Sequence, residues 1–148
     1  MMSSVGAIWS STERKARETA DILSDALGVR VKQLADLGEN DRSATGFLPP
    51  RQFEVAADAF FAAPQTSYRG WETAEEAQRR IVRACEFIVR GHTKKDLVIV
   101  THGAVGTLLW CHLAGRTIDR KFDQPGQGHF WIADLDTLRP EFEWRSIA

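Results

Sequence analysis

The stretch Leu97-Val98-Ile99-Val100 runs without interruption into Thr101-His102-Gly103. Unbroken β-branched and aliphatic sequence of this length fits a strand buried on both faces of a parallel sheet. Open α/β sheets bind ligands at the carboxyl ends of their strands, which is where His102 falls. Gly103 lets a ligand or a second backbone approach closely, and the helix start beyond it offers free amides and a positive dipole end to an anion.

The remaining elements alternate around that strand. Val5 to Trp9 reads as a strand meeting Ser10-Ser11-Thr12-Glu13, where Ser-x-x-Glu predicts a capping box that opens a helix. Ala16, Ala20, Leu23 and Leu27 recur at helical spacing, and Gly28 is a natural stop. Val29 to Leu34 alternates weakly and suits an edge strand, while Leu37 to Pro50, rich in Gly, Asn, Asp, Ser and Pro, reads as a long loop. Arg51 to Ala62 reads as a short helix. Thr73 with Glu76 forms a second capping box, ahead of Ala74, Ala77, Ile81, Ala84, Cys85 and Ile88 on one helical face up to Gly91. Val105 to Leu113 reads as an apolar helix closed by Gly115. Phe130 to Ile132 and Phe142 to Trp144 flank a turn at Asp136-Thr137 and predict a terminal hairpin. This alternation predicts an α/β chain, a three-layer α/β/α arrangement with a mostly parallel central sheet, in one domain over residues 1–148.

Composition removes several function classes. With 148 residues and a formal net charge of -1, the chain has no general attraction to nucleic acid or to anionic membrane, so any anion site is local. No run approaches about 18 apolar residues, and the N-terminus lacks the basic flank and apolar core of a signal peptide. Cys85 and Cys111 lie in apolar helical stretches without a CxxC partner, which predicts buried thiols and a reducing cytoplasm. The sequence has no GxxxxGK[ST], GxSxG or GxGxxG, and the spacing of its four histidines matches no dedicated metal site, so neither a metal nor a cofactor is expected.

Three places carry candidate chemistry. His102 is the first. The second is Ser10 to Ala20, a strand end feeding a helix start with Arg14, Lys15 and Arg17 in its first turns, which suits a phosphate; the plainer reading makes Ser10 a cap and the cations a solvated face. The third is Glu39 in the long loop, a general acid if its pKa were raised, or otherwise a solvated carboxylate like Glu72. His92 follows a helix-ending glycine, His112 lies near the end of an apolar helix, and His129 begins a strand. Trp71 is read as core.

In this order the segments resemble the histidine phosphatase (phosphoglycerate mutase-like) superfamily. Its members run from an Arg-His-Gly strand through a Ser-Ser-Pro-Leu-x-Arg-Ala-x-x-Thr-Ala helix to a Ser-His-Gly strand end. Ser10 to Ala20 is similar to the second motif and Thr101-His102-Gly103 to the third; Glu39 falls where the family often has its acidic proton donor, and Trp71-Glu72-Thr73 with Arg80 resembles its Gly-Glu-Ser helix start. The resemblance implies a phosphatase of small phosphate esters that needs no metal. Phosphoryl transfer would go to the histidine of the first motif, His102 would stabilise charge, Glu39 would be the acid, and Ser10, Lys15 and Gly103 would help hold phosphate.

Two departures accompany the resemblance. Lys15 stands where the motif has arginine, a point charge in place of a bidentate fork. Nothing preceding Val5 matches the Arg-His-Gly strand, so the chain is read as N-terminally incomplete, without the nucleophile and without a central strand. Buried backbone groups left unpaired by such a gap cost about 1–3 kcal/mol each, to be felt in stability, solubility or assembly. Three readings follow: a shortened phosphatase with little turnover, a non-catalytic pseudo-phosphatase or anion-binding interaction module, and a homo-oligomer in which another subunit supplies the strand.

Overall fold

Residues 4–93 and 95–147 are described by a computed structural model. Strand and helix alternate as β1 (Val5–Ser10), α1 (Arg14–Leu27), β2 (Val31–Gln33), α2 (Pro50–Ala62), α3 (Ala74–Gly91), β3 (Asp96–Val100), α4 (Gly103–Ala114), β4 (His129–Phe130) and β5 (Arg145–Ser146), with single 3-10 turns at Ala35–Leu37 and Arg120–Phe122. The chain folds as two compact units: Met1–Gly38 with Arg80–His102, and Glu39–Arg79 with Gly103–Ala148.

The first unit is built on a parallel sheet in the order β2-β1-β3. Ile8 is fully buried on β1 and registers with Val31 of β2 and Val98 of β3. Val5, Ile8 and Ala20 form a core joined by Leu23, Leu27, Val29, Val31, Val98 and Val100. Ala16 and Ala20 are the buried residues of α1, and their small side chains let the helix lie close to the strands. Successive strand residues point to opposite faces, so Trp9 turns away from this core and meets Phe87 of α3 edge-on, with ring centroids 6.3 Å apart. Helix α1 ends as predicted at Gly28, whose φ of 68° lets its N–H reach the Ser24 carbonyl at 2.8 Å.

Two expectations for this unit are corrected. The Ser10/Glu13 capping box does not form: Glu13 itself is the N-cap and makes no side-chain cap bond, while the Ser10 hydroxyl donates to the Ser11 carbonyl at 2.7 Å. The strand runs one residue further than predicted, which takes Ser10 out of reach of the helix amides. Leu97 to Val100 are partly exposed instead of buried on both faces. Among the described residues β3 pairs only with β1, so it is a sheet edge, and its side chains have neighbours on one flank alone. Strand β2 occupies the opposite edge, as its weak alternation predicts.

In the second unit, α2 buries Ala56, Ala57, Phe60 and Phe61, and Phe60 meets Trp71 with centroids 6.2 Å apart. Trp71 is 2% exposed and its indole N–H donates to Thr45 Oγ1 at 2.8 Å, which makes it core. The capping box at the start of α3 forms as predicted: Glu76 accepts from the Thr73 N–H at 2.9 Å, and Thr73 Oγ1 accepts from the Glu76 N–H at 3.0 Å. Helix α4 is buried on every side from Ala104 to Cys111, which explains its continuous apolarity.

The terminal hairpin is shorter than predicted, with His129 opposite Ser146 and Phe130 opposite Arg145. Its turn is held by Asp134 Oδ1, which accepts the N–H groups of Asp136 at 2.8 Å and Thr137 at 3.0 Å. Phe142 to Trp144 fall outside the regular strand because α4 holds them: the Phe142 carbonyl accepts from Trp110 Nε1 at 3.0 Å, and Trp144 Nε1 donates to Thr107 Oγ1 at 3.0 Å. Cys85 and Cys111 are free and buried, and burial pushes the Cys85 thiol up to about 11.

Because Ile8 carries the core of the first unit, Ile8→Ala should lower unfolding stability by about 2–5 kcal/mol. Ile22→Ala, at a side chain 70% exposed on α1, should stay within about 0.5 kcal/mol. Urea unfolding midpoints check both.

Candidate functional site

His102 is positioned by the carboxyl ends of two adjacent parallel strands. The Ser11 N–H donates to the Val100 carbonyl at 3.0 Å, which continues the β1–β3 pairing one residue past the end of β1. Thr101 Oγ1 donates to the Leu37 carbonyl at 2.5 Å and fixes the turn that follows β3. The His102 imidazole, 15% exposed, then lies with Nε2 2.9 Å from Ser11 Oγ and 3.3 Å from Glu13 Oε2. Ser11 Oγ also accepts from the Glu13 N–H at 3.1 Å. Its own proton is therefore available to a neutral ring, and its lone pair to a protonated one.

Both contacts fall on the same ring nitrogen. In a nucleophile–base–acid relay the base uses one nitrogen toward the hydroxyl and the other toward the carboxylate. Ser11, His102 and Glu13 therefore do not form such a relay, and the cluster is one of charge and hydrogen bonding around a single N–H position.

Arg80 is a stronger structural element than its motif position suggests. Its guanidinium Nη1 donates to the carbonyls of Asp36 at 2.7 Å and Gly38 at 2.8 Å, clamping the segment that leads into the long loop. Lys15 and Arg17 are exposed, and Arg14 pairs with Glu18 at 3.8 Å on an 84% and 63% exposed surface, where an ion pair contributes little. The Ser10 side chain is fully buried and turned to backbone. His92 bonds through Nε2 to the Lys95 carbonyl, ahead of β3 and at the opposite end from His102.

The second unit holds Glu39 and Gly103. The Glu39 carboxylate accepts the N–H groups of Ala104 at 3.1 Å and Val105 at 3.0 Å, so it sits on the positive end of α4. Arg42 lies 3.7 Å from the same carboxylate, donates through Nε to Asn40 Oδ1 at 3.0 Å, and stacks over Phe53 and Trp71 with its guanidinium 4.8 and 5.3 Å from the ring centroids. That donor identifies Oδ1 of Asn40, leaving the buried Nδ2 without a partner among the described residues. Any Cβ at Gly103 would collide with the Gln124 carboxamide. His112 is exposed on α4, and His129 bonds through Nδ1 to the Gln127 carbonyl at 3.1 Å.

Asp123 is a carboxylate that sequence reasoning missed. It lies 2.9 Å from Thr107 Oγ1, and burial holds its pKa above the usual range against the opposing effects of Thr107, the Gln124 N–H, Arg120 and Arg42. It falls in a polar loop without helical or strand period, so no local pattern marks it. Arg42 was equally unmarked. Among the described residues, no group of three or more His, Cys, Asp or Glu side chains could hold a metal ion, and no helix is long and apolar enough to cross a membrane.

The family model of the histidine phosphatase superfamily (branch 1) matches residues 2–143. The chain belongs to that superfamily. Solved structures agree in fold. Bacillus stearothermophilus YhfR superposes with a TM-score of 0.71 at 25% identity, covering 97% of this chain and 72% of that one. The mycobacterial glucosyl-3-phosphoglycerate phosphatase Rv2419c gives a TM-score of 0.74 at 18% identity, covering 96% and 78%. Rv3214 from Mycobacterium tuberculosis gives 0.64 at 13%, covering 94% and 71%. No curated protein matches the sequence. The α/β fold with a parallel sheet, expected from the pattern and the resemblance, is the fold of this superfamily.

The amide contacts of Glu39 carry a stability prediction. Glu39→Ala should destabilise the protein by about 0.5–2 kcal/mol, the range of a lost helix N-terminal cap, and Glu39→Gln should retain part of that because its amide oxygen still accepts one N–H. Thermal unfolding of the two variants at pH 7 checks the order.

Proposed function

We propose that this superfamily member binds the phosphoryl group of a small phosphate ester through His102 and, as the 148-residue chain, turns it over little or not at all. The observation that carries this reading is the His102 imidazole at the carboxyl end of β3, its Nε2 already gathered by two oxygens at 2.9 and 3.3 Å. A group that collects oxygens in this way can neutralise the equatorial oxygens of a phosphoryl group, and phosphoryl transfer depends mainly on such positioning and neutralisation. The likeness in fold to a glucosyl-3-phosphoglycerate phosphatase supports a phosphohydrolase scaffold. Arg14, Lys15 and Arg17 on the first turns of α1 supply positive charge in the same unit.

A phosphohistidine route needs a second imidazole within attacking distance, about 3–3.5 Å, of the same phosphorus. His92 does not meet that need. It is tied to the carbonyl preceding β3, and the five residues of that strand separate it from His102 by roughly 17 Å at about 3.3 Å per residue. Ser11, the nearest hydroxyl, is fully buried and lacks a relay. Glu39, the proposed proton donor, is an acceptor for two amides and must leave them to donate. Free, buried cysteines support a reducing compartment such as the cytoplasm.

Orthophosphate titration by calorimetry tests the binding reading: His102→Ala should weaken binding about tenfold or more, as expected for loss of a charge-assisted hydrogen bond. An aryl phosphate tests turnover. Robust hydrolysis by the 148-residue chain that disappears in His102→Ala would overturn the inactive reading, and unchanged phosphate affinity in His102→Ala would overturn the site.

A further inference from the structure

We propose that Glu13 is an internal stand-in for the substrate oxyanion, occupying the position on His102 Nε2 that a phosphoryl oxygen must take; this rests on the phosphate reading of His102. Nε2 has a single in-plane direction for a hydrogen bond, and two oxygens already share it, Ser11 Oγ at 2.9 Å and Glu13 Oε2 at 3.3 Å. A phosphoryl oxygen needs about 2.7–2.9 Å from the same nitrogen. One of the two must leave. Ser11 is fully buried and is held by the Glu13 N–H, whereas the Glu13 side chain is 52% exposed on a flexible stem, so Glu13 is the group that moves.

Two further observations bear on this carboxylate. Glu13 is the N-cap of α1, yet its side chain makes no cap bond and reaches His102 instead. Gly38 has φ of -66° and ψ of 159°, a conformation open to any residue, and a Cβ there would come within 3.0 Å of Glu13 Oε2 and 3.1 Å of the Ala35 carbonyl oxygen, so the carboxylate is one of two groups that crowd this position. Glu13 also stands where the family motif quoted above carries leucine. The cations of the same turn, Arg14, Lys15 and Arg17, are exposed around it.

Glu13 therefore acts against a phosphate dianion twice, by filling the position and by repelling the incoming charge. Orthophosphate is the probe, with affinity read by calorimetry on the 148-residue chain. Glu13→Gln and Glu13→Ala should each bind phosphate about fivefold to tenfold more tightly than the native chain, and Asp25→Asn, which removes the same charge from an exposed position near the far end of α1, should leave affinity unchanged. Adding His102→Ala to Glu13→Gln should abolish the gain. If Glu13 instead only orients the imidazole, both Glu13 variants bind phosphate more weakly than native while His102 remains required, which overturns the stand-in and leaves the phosphate site intact. An equal gain in Asp25→Asn would reduce the effect to net charge and also overturn it. Absence of any His102-dependent binding in all variants would overturn the phosphate reading itself.

Discussion

The first unit depends on the parallel pairing of β1 with β3, carried past the end of β1 by the bond from the Ser11 N–H to the Val100 carbonyl. Residues far apart in sequence are set side by side by that ladder, and a slip of one residue would turn each strand's side chains to the other face. The buried Ile8 opposite Val98 makes such a slip costly, because Trp9 would have to take its place in the core beneath α1. The same register places Ser11 and Glu13 against His102. Core packing and site geometry are in this way one constraint.

Two anion-seeking features of the chain are met by its own carboxylates. In one unit Glu13 lies on the His102 imidazole, and in the other Glu39 lies on the first amides of α4. A helix start with free N–H groups and an imidazole N–H each gain from a nearby negative charge, so an unliganded chain lowers its free energy by turning carboxylates inward. On the proposed reading, phosphate binding would be an exchange of one anion for another. The affinity left over is the difference between the two, which is smaller than the contacts of the bound anion alone would suggest.

Local patterns were legible where one segment satisfies itself. Thr73 and Glu76 are three residues apart on one turn and bond each other, and Gly28 ends α1 through its own left-handed backbone. The matching Ser10/Glu13 spacing failed because β1 continues through Ser10 and the tertiary partner of Glu13 is His102. Leu97 to Val100 reads as a strand covered on both faces, yet strand pattern alone does not report which neighbours are present on its flanks. Arg42, Asp123 and Trp144 were not legible as a group at all, since each acts through partners elsewhere in the chain: Arg42 on Phe53 and Trp71, and Asp123 and Trp144 on Thr107.

What the sequence by itself determined is the class of fold, the family, and the histidine at the end of an apolar strand, because hydrophobic period and short ordered motifs are properties of contiguous residues. Only the tertiary structure decided what His102 touches. The identity of its neighbours follows from strand register, and register is set by long-range packing of Ile8, Val31 and Val98 that no local spacing encodes. That packing turns Glu13 from a predicted helix cap into the carboxylate facing the imidazole.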